Sequence, residues 1–441
     1  MKKYIFVVSL LGLLAACTGK RQGEAAAEVA ALPAVEDVVM YQVNPRVFAP
    51  EKSFKAVERR LDSIQALGIN VVWFMPINEV GQEKSVNSPY CVKDYKGVNP
   101  EFGTLDEFKA LVATCHQKGM NVIIDWVANH TSWDNAWIAN KEWYTQDEAG
   151  NIIFPTGTGW KDVADLNFDN QEMRLAMIEA MKFWVTEIGI DGFRCDAADF
   201  VPFDFWKQAL DSLRAIPDRS LLMLAEGKRR DHFDAGFDMN YSWDFLDSLR
   251  DVFVKDPPPQ ELFATDKAEY DTIPVGKVKL RFTTNHDESA KMSPIKEFGD
   301  MRGSMAAFVL TTYLHGGALI YGSQEAGYPE AINFFTYVPV DWTGNSELYQ
   351  EYCRLMALYN EYPAIRKGGL KTYPQPDVLL FEKQDGKDRV LVAVNVRNRE
   401  VNVTLPQEWN GHPSRDMYSG TEKKLEAELS LCPYQYRIFK Y

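Results

Sequence analysis

Four short stretches of this chain hold residue types that could exchange protons and stabilise charge together. They are Asp125-Trp-Val-Ala-Asn129-His130, Gly192-Phe-Arg194-Cys-Asp196-Ala-Ala198, Leu224-Ala-Glu226-Gly227 and Thr283-Thr-Asn285-His286-Asp287-Glu288. Each follows a short apolar run of strand character. A single Asp after a strand is usually a helix cap, and a single His usually a satisfied hydrogen-bonding residue. An Arg two residues before an Asp shares its strand face and can be a plain salt bridge. Four such clusters in succession are harder to ascribe to chance.

The elements that must carry them follow from periodicity. From about residue 38, short β-type runs alternate with amphipathic helical stretches, which is the pattern of βα units. Strands are predicted at Val38–Val43, Asn70–Met75, Asn121–Val127, Ile190–Cys195, Leu221–Ala225, Phe237–Asn240, Val278–Thr283 and Ala318–Gly322. Helices are predicted at Phe54–Leu67, Leu105–Lys118, Glu172–Ile188 and Phe205–Ala215. Residues 131–170 lack clear periodicity and read as an insertion after the third strand. This alternation matches an α/β fold, a (β/α)8 TIM barrel over residues 36–368, although an open doubly wound sheet gives the same local pattern. In a barrel, the βα loops bring polar residues at the strand C-termini to one mouth. After Gly368, short β-type runs follow one another without helices, so residues 369–441 read as a C-terminal antiparallel β-sandwich domain.

Read in order, the four clusters resemble the four sequence regions of the α-amylase superfamily, glycoside hydrolase family 13. Supporting stretches keep the same order: Tyr41-Gln-Val-Asn-Pro-Arg-Val-Phe, Tyr90 to Thr104, Asp165-Leu-Asn, and Leu319 to Glu325. The likeness extends over about residues 36–440. It implies a retaining glycoside hydrolase in which Asp196 is the nucleophile, Glu226 the general acid/base and Asp287 the third acid. It places Arg194 beside the nucleophile, His130 and His286 as donors to the reacting sugar, and Tyr90 as the ring beneath that sugar. Retaining cleavage needs two carboxyl groups about 5–5.5 Å apart, a spacing that neighbouring strands can supply. Glu226 must carry a proton near neutral pH, which requires burial or a neighbouring negative charge.

The resemblance also bears on substrate and metal. Ala197 after the nucleophile resembles enzymes of α-1,4 bonds in starch, maltodextrin or glycogen, whereas Asp199-Phe200 departs from the common Lys-His. The insertion is short for the family, which favours an open groove and internal cleavage. Alternatives are an α-glucan transglycosylase, an oligosaccharide α-glucosidase, or an inactive glucan-binding lipoprotein; the last usually lacks one of the acids present here. Asn129 and Asp165 match positions that hold a structural Ca2+ in many relatives, and both offer the oxygen ligands that calcium prefers.

Composition sets outer bounds. The formal charge of −14 argues against a nucleic-acid partner. Eleven Trp, 20 Tyr and 25 Phe mostly fill the core, leaving a minority to meet sugar faces. Lys2 and Lys3 precede an apolar run to Ala16, too short to span a bilayer, and Leu13-Leu-Ala-Ala-Cys17 resembles a bacterial lipobox. Residues 1–17 are therefore predicted to be a lipoprotein signal peptide with Cys17 lipidated, and 18–35 a tether to the cell envelope. The other five cysteines lack metal-ligand spacing and read as buried thiols of a monomer.

Overall fold

The computed structural model describes residues 31–441, so the signal-peptide and Cys17 expectations lie outside the described residues. Eight parallel strands form the centre: β1 (Val39–Val43), β2 (Val71–Phe74), β3 (Asn121–Trp126), β4 (Gly192–Cys195), β5 (Leu222–Ala225), β6 (Met239–Tyr241), β7 (Val278–Leu280) and β8 (Ala318–Tyr321). Their order is β7-β6-β5-β4-β3-β2-β1-β8. A parallel bridge between Arg281 and Ala318 joins the two ends, with Arg281 N–H donating to Gly317 O at 2.8 Å and Leu319 N–H to Arg281 O at 3.0 Å. The ring is therefore a barrel and not an open sheet.

Alternation along the strands makes two cores. Met40, Val71, Trp73, Ile123, Leu222, Leu224, Met239 and Leu280 point inward and fill the barrel. Val39, Tyr41, Val72, Phe74, Val122 and Ile124 point outward against the helices. Leu32 and Val35 pack onto the inner cluster, so the segment expected to be tether up to 35 already belongs to the barrel. Apolar side chains there gain more from covering the open strand ends than from water.

The helix predicted over 54–67 is two helices, α1 (Ser53–Glu58) and α2 (Leu61–Ala66), broken at Arg59 and Arg60. Helix α3 (Leu105–Gln117) starts from a reciprocal capping box between Thr104 and Glu107. Helix α4 (Gln171–Phe183) ends in a π-helical turn over Trp184–Ile188, where Gly189 takes a left-handed conformation. The insertion is pinned by a hairpin pairing His130–Ser132 with Val163–Asp165.

Four more helices matter below: α5 (Phe203–Arg214), α6 (Trp243–Val254), α7 (Met301–Tyr313) and α8 (Ser346–Glu361). A six-stranded antiparallel sheet then begins at β9 (Gly369–Tyr373) and ends at the C-terminal strand Tyr436–Lys440. One of its faces (Leu379, Phe381, Val390, Val392) packs on the barrel. The other (Leu380, Leu391, Ala393) is covered by Trp409 and the ribbon Val401–Thr404 with Glu428–Leu431.

Candidate active site

The site is built on two adjacent strands. On β4 and β5, Cys195 lies opposite Ala225, so the next residues, Asp196 and Glu226, leave the sheet side by side. Strands that neighbour each other run about 4.8 Å apart. Their close approach depends on Gly192, at φ 150°: a Cβ there would sit 1.9 Å from Leu222 O. After the strand, Ala197 adopts a left-handed conformation at φ 44° and ψ 41°. That costs about 1–2 kcal/mol for an L-residue. The bend turns the Ala197 N–H onto Glu226 Oε2 at 2.7 Å, so strain is spent where the two carboxylates meet.

Arg194, fully buried, organises three carboxylates. Its Nη1 donates to Asp125 Oδ1 and to Asp196 Oδ1, each at 2.7 Å, and its Nε donates to Tyr241 Oη at 3.0 Å. Its Nη2 lies 2.8 Å from Glu226 Oε1. That approach is off the N–H axis, since Nη2 makes no hydrogen bond. It is a contact of opposite charges. Trp73 and Tyr241 flank the guanidinium, their ring centres 5.2 and 5.6 Å away.

Asp125 sits beneath the site with no solvent contact. Its Oδ2 accepts from Trp73 Nε1 at 3.3 Å and from the Tyr90 hydroxyl at 3.2 Å. The Tyr90 oxygen in turn lies 2.6 Å from His286 Nε2, and Gln42 Nε2 lies 2.8 Å from His286 Nδ1. With the Gln42 amide donating to Nδ1, the imidazole carries its proton on Nε2. Tyr90 and His286 also stack at 5.4 Å.

Burial dominates the titration of these groups. It raises Asp125 to about 7 against the pull of Arg194. It raises Asp196 well above the carboxylate range, Arg194 opposing it and Glu226 and Asp125 adding to it. It also raises Asp287. Burial works against the Arg194 charge, but Asp125 and Glu226 outweigh it and hold the guanidinium ionised. Burial lowers His130 to about 4 and His286 to about 3, so both are neutral donors at neutral pH. Three carboxylates around one guanidinium carry an excess of negative charge, and such a cluster favours retaining a proton.

Asp196, Glu226, Asp287, Tyr90, His130 and His286 all line one cavity of about 400 Å³, and Arg194 lies under its floor. Asn129 and Asp165 stand outside it. Asn129 Nδ2 approaches His130 Nδ1 at 3.3 Å, and Asp165 faces His130 across the short hairpin. In the sequence Asp125 carries no assigned part, Gln42 stands only within the first-strand stretch, and no motif marks Trp73, Tyr241, Trp160 or Phe334. Inward alternation on β1 and β2 could have found Gln42 and Trp73. Trp160 and Phe334 come from loops without periodicity. Phe334 and Phe335 are held by Arg46, whose Nη1 donates to both carbonyls at 3.2 and 3.1 Å and to Asn87 O at 2.8 Å.

Comparison with known proteins places this geometry in a class. The α-amylase catalytic-domain family matches residues 52–150 and 142–221, and the maltogenic-amylase C-terminal domain matches 370–438. A cyclomaltodextrinase of Geobacillus thermopakistaniensis is 26% identical over 92% of this chain and 77% of its own length. The α-amylase MalA of Haloarcula japonica is 26% identical over 87% of this chain, which spans 58% of that protein. The maltogenic α-amylase AmyB of Thermotoga neapolitana superposes with a TM-score of 0.81 at 26% identity, covering 93% of this chain and 99% of AmyB. The barrel with its C-terminal sheet is the architecture of a glycoside hydrolase. The chain belongs to the α-amylase family, glycoside hydrolase family 13.

Proposed function

We propose that the protein hydrolyses α-1,4-glucosidic bonds of starch, maltodextrin or glycogen with retention of configuration. The observation that carries this reading is the placement of Asp196 and Glu226 on adjacent strands, sharing Arg194, in the cavity that also holds Asp287. Asp196 Oδ attacks the anomeric carbon while Glu226 gives its proton to the leaving glycosidic oxygen. The glycosyl–Asp196 ester is then opened by water, from which Glu226 takes a proton, restoring both carboxyls. His130 donates a neutral hydrogen bond to the sugar, the His286 Nε2–H exchanges the Tyr90 oxygen for a sugar hydroxyl, and Tyr90 offers its ring. Asp287, with 39% of its side chain exposed at the cavity wall, accepts from sugar hydroxyls and favours the positively charged transition state. The purified protein is expected to release new reducing ends from soluble starch; inertness on every α-glucan would end this reading.

A second reading, glucosyl transfer to sugar, draws on Trp160 and Phe200. Their rings are 5.6 Å apart, exposed, and Trp160 lines the cavity beside Ala197. Exposed rings there can hold an acceptor sugar in competition with water. Chromatography of maltoheptaose digests separates the outcomes: shorter chains for hydrolysis, chains longer than seven units for transfer, glucose alone for exo-action.

The same reading assigns Asn129 and Asp165 to a structural calcium. Burial raises the Asp165 carboxyl against a hydrogen bond from Thr145, and among the described residues no group of three or more His, Cys, Asp or Glu side chains could hold a metal ion, so these two residues would be the only side-chain ligands. The two side chains give oxygen ligands, and calcium's six to eight would be completed by backbone carbonyls and water. Such an ion would tie the insertion to β3. Chelation with EDTA is expected to lower Tm and readded Ca2+ to restore it, while Asp165→Ala shows neither response. Export and lipid attachment at Cys17 complete the proposal: Cys17→Ser is expected to move the protein from the membrane fraction to the soluble one.

A further inference from the structure

A second cavity, of about 460 Å³, lies on the seam between barrel and β domain. Its barrel wall is the first turns of α7 and α8, with Met301, Met305, Leu348 and Glu351. Its other wall is Tyr418 and the segment 432–437 of the β domain. Tyr418 and Tyr436 donate their hydroxyls to the two oxygens of Glu351, and their rings meet at 6.1 Å and 72°. Arg437 spends Nη1 on Asp416 at 3.1 Å, while its buried Nε has no partner. None of these groups takes part in the chemistry above, and no short spacing in the sequence groups them, because the fold brings four separate stretches together.

The cavity joins tyrosine rings and methionine side chains to a fixed carboxylate acceptor and an unused N–H donor. A purely apolar ligand would leave the Arg437 Nε buried and unpaired, which costs about 1–3 kcal/mol. An anion would meet Glu347 and Glu351, and Arg302, which also lines the cavity, is already paired with Asp300. A pyranose satisfies both halves, with C–H faces for the rings and hydroxyls for Glu351 and Arg437. Position narrows the choice further. Helices α7 and α8 follow β7 and β8, so their first turns sit at the barrel mouth that carries Asp196, Glu226 and Asp287. A chain long enough can reach both places.

We propose that this seam cavity is a second α-glucan-binding site, separate from the catalytic cavity, which holds a segment of a polymeric substrate. The proposal rests on the glucan-hydrolase reading above. Holding one part of a chain raises the effective concentration of the rest at the catalytic site, so polymers gain and short sugars do not.

The test uses two readouts on the full chain. In an Asp196→Asn background, calorimetry with maltoheptaose is expected to find two sites, and adding Tyr418→Ala with Glu351→Gln leaves one. Met301→Trp, which puts a larger ring into the cavity wall from a position more than a third exposed, is expected to do the same. In the active chain, either change leaves maltotriose turnover unaltered and raises KM for soluble starch by about tenfold. A chain that cleaves maltotriose but binds one maltoheptaose, or whose variants keep two sites, overturns the second site and leaves the catalytic reading intact. A chain that cleaves no α-glucan overturns the catalytic reading, and the second site then stands or falls on the calorimetry alone.

Discussion

Asp196→Asn is expected to lower kcat on maltodextrin by on the order of 10⁴-fold, and Glu226→Gln by about 10²–10⁴-fold, with both chains folded. The two losses differ in kind. Without the Asp196 oxygen no covalent intermediate forms, whatever the leaving group. Without the Glu226 proton, bond cleavage slows only for leaving groups that need protonation, while hydrolysis of the ester loses its base for every substrate. An α-glucoside with a dinitrophenolate leaving group should therefore give Glu226→Gln a fast burst of dinitrophenolate followed by slow turnover, and leave Asp196→Asn inert. Stability should move the other way from activity. Burial raises the Asp196 carboxyl in the fold, so its ionised form weakens the folded state at neutral pH. Replacing it with a neutral amide removes that cost, and Tm is expected to hold or rise. Should Asp196→Asn retain turnover, or should both variants respond alike to the activated substrate, the assignment of roles fails.

What the sequence made legible was the periodic part of the molecule. All eight barrel strands appear close to the positions that apolar runs mark, with ends displaced by up to three residues, as at β6 and β7. The cavity residues Asp196, Glu226, Asp287, His130 and His286 were visible because they follow those runs directly. Tyr90 was visible only through family likeness, since its loop has no period. The parts that escaped are those decided by distant contacts. The edge strands Gly369–Tyr373 and Glu422–Lys424 are polar and exposed, so no burial pattern marks them. The break at Arg59 and Arg60 leaves the apolar spacing of the two helices intact and therefore invisible. Asp125 reads as an ordinary strand residue until Arg194, Trp73 and Tyr90 are seen converging on it. Tyr418, Tyr434 and Tyr436 have no common period in the sequence and come together only in the cavity against helices α7 and α8.

Arg194→Met is expected to destabilise the fold by about 3–5 kcal/mol at pH 8, because it strands buried carboxylates without their shared cation. The loss should depend on pH with a definite sign. Asp125 titrates at about 7 even beside Arg194, against about 3.9 in an unfolded chain. Between those values the folded state binds more protons than the unfolded one, so stability falls as pH rises. Removing the guanidinium raises Asp125 and Asp196 further and steepens that fall. At pH 5 the cluster can hold its protons and the deficit should shrink. His130 and His286 act in the opposite sense, since their folded values of about 4 and 3 lie below the unfolded range, and they cost stability as pH drops below about 6.5. For His130 that cost is common to parent and variant and cancels in their difference; for His286, which Arg194 also lowers, the variant bears less of it at low pH, which shrinks the deficit at pH 5 in the same sense. Urea unfolding of both chains at pH 5 and pH 8 measures the difference directly, and an equal loss at the two values would refute the shared-cation account. Adding Asp125→Asn and Asp196→Asn to Arg194→Met should recover most of the stability at pH 8, since buried amides need no cation, while turnover stays absent. Stability and activity then separate cleanly: Arg194 opposes the burial that raises the Asp196 carboxyl, and so favours the anion that the attack requires.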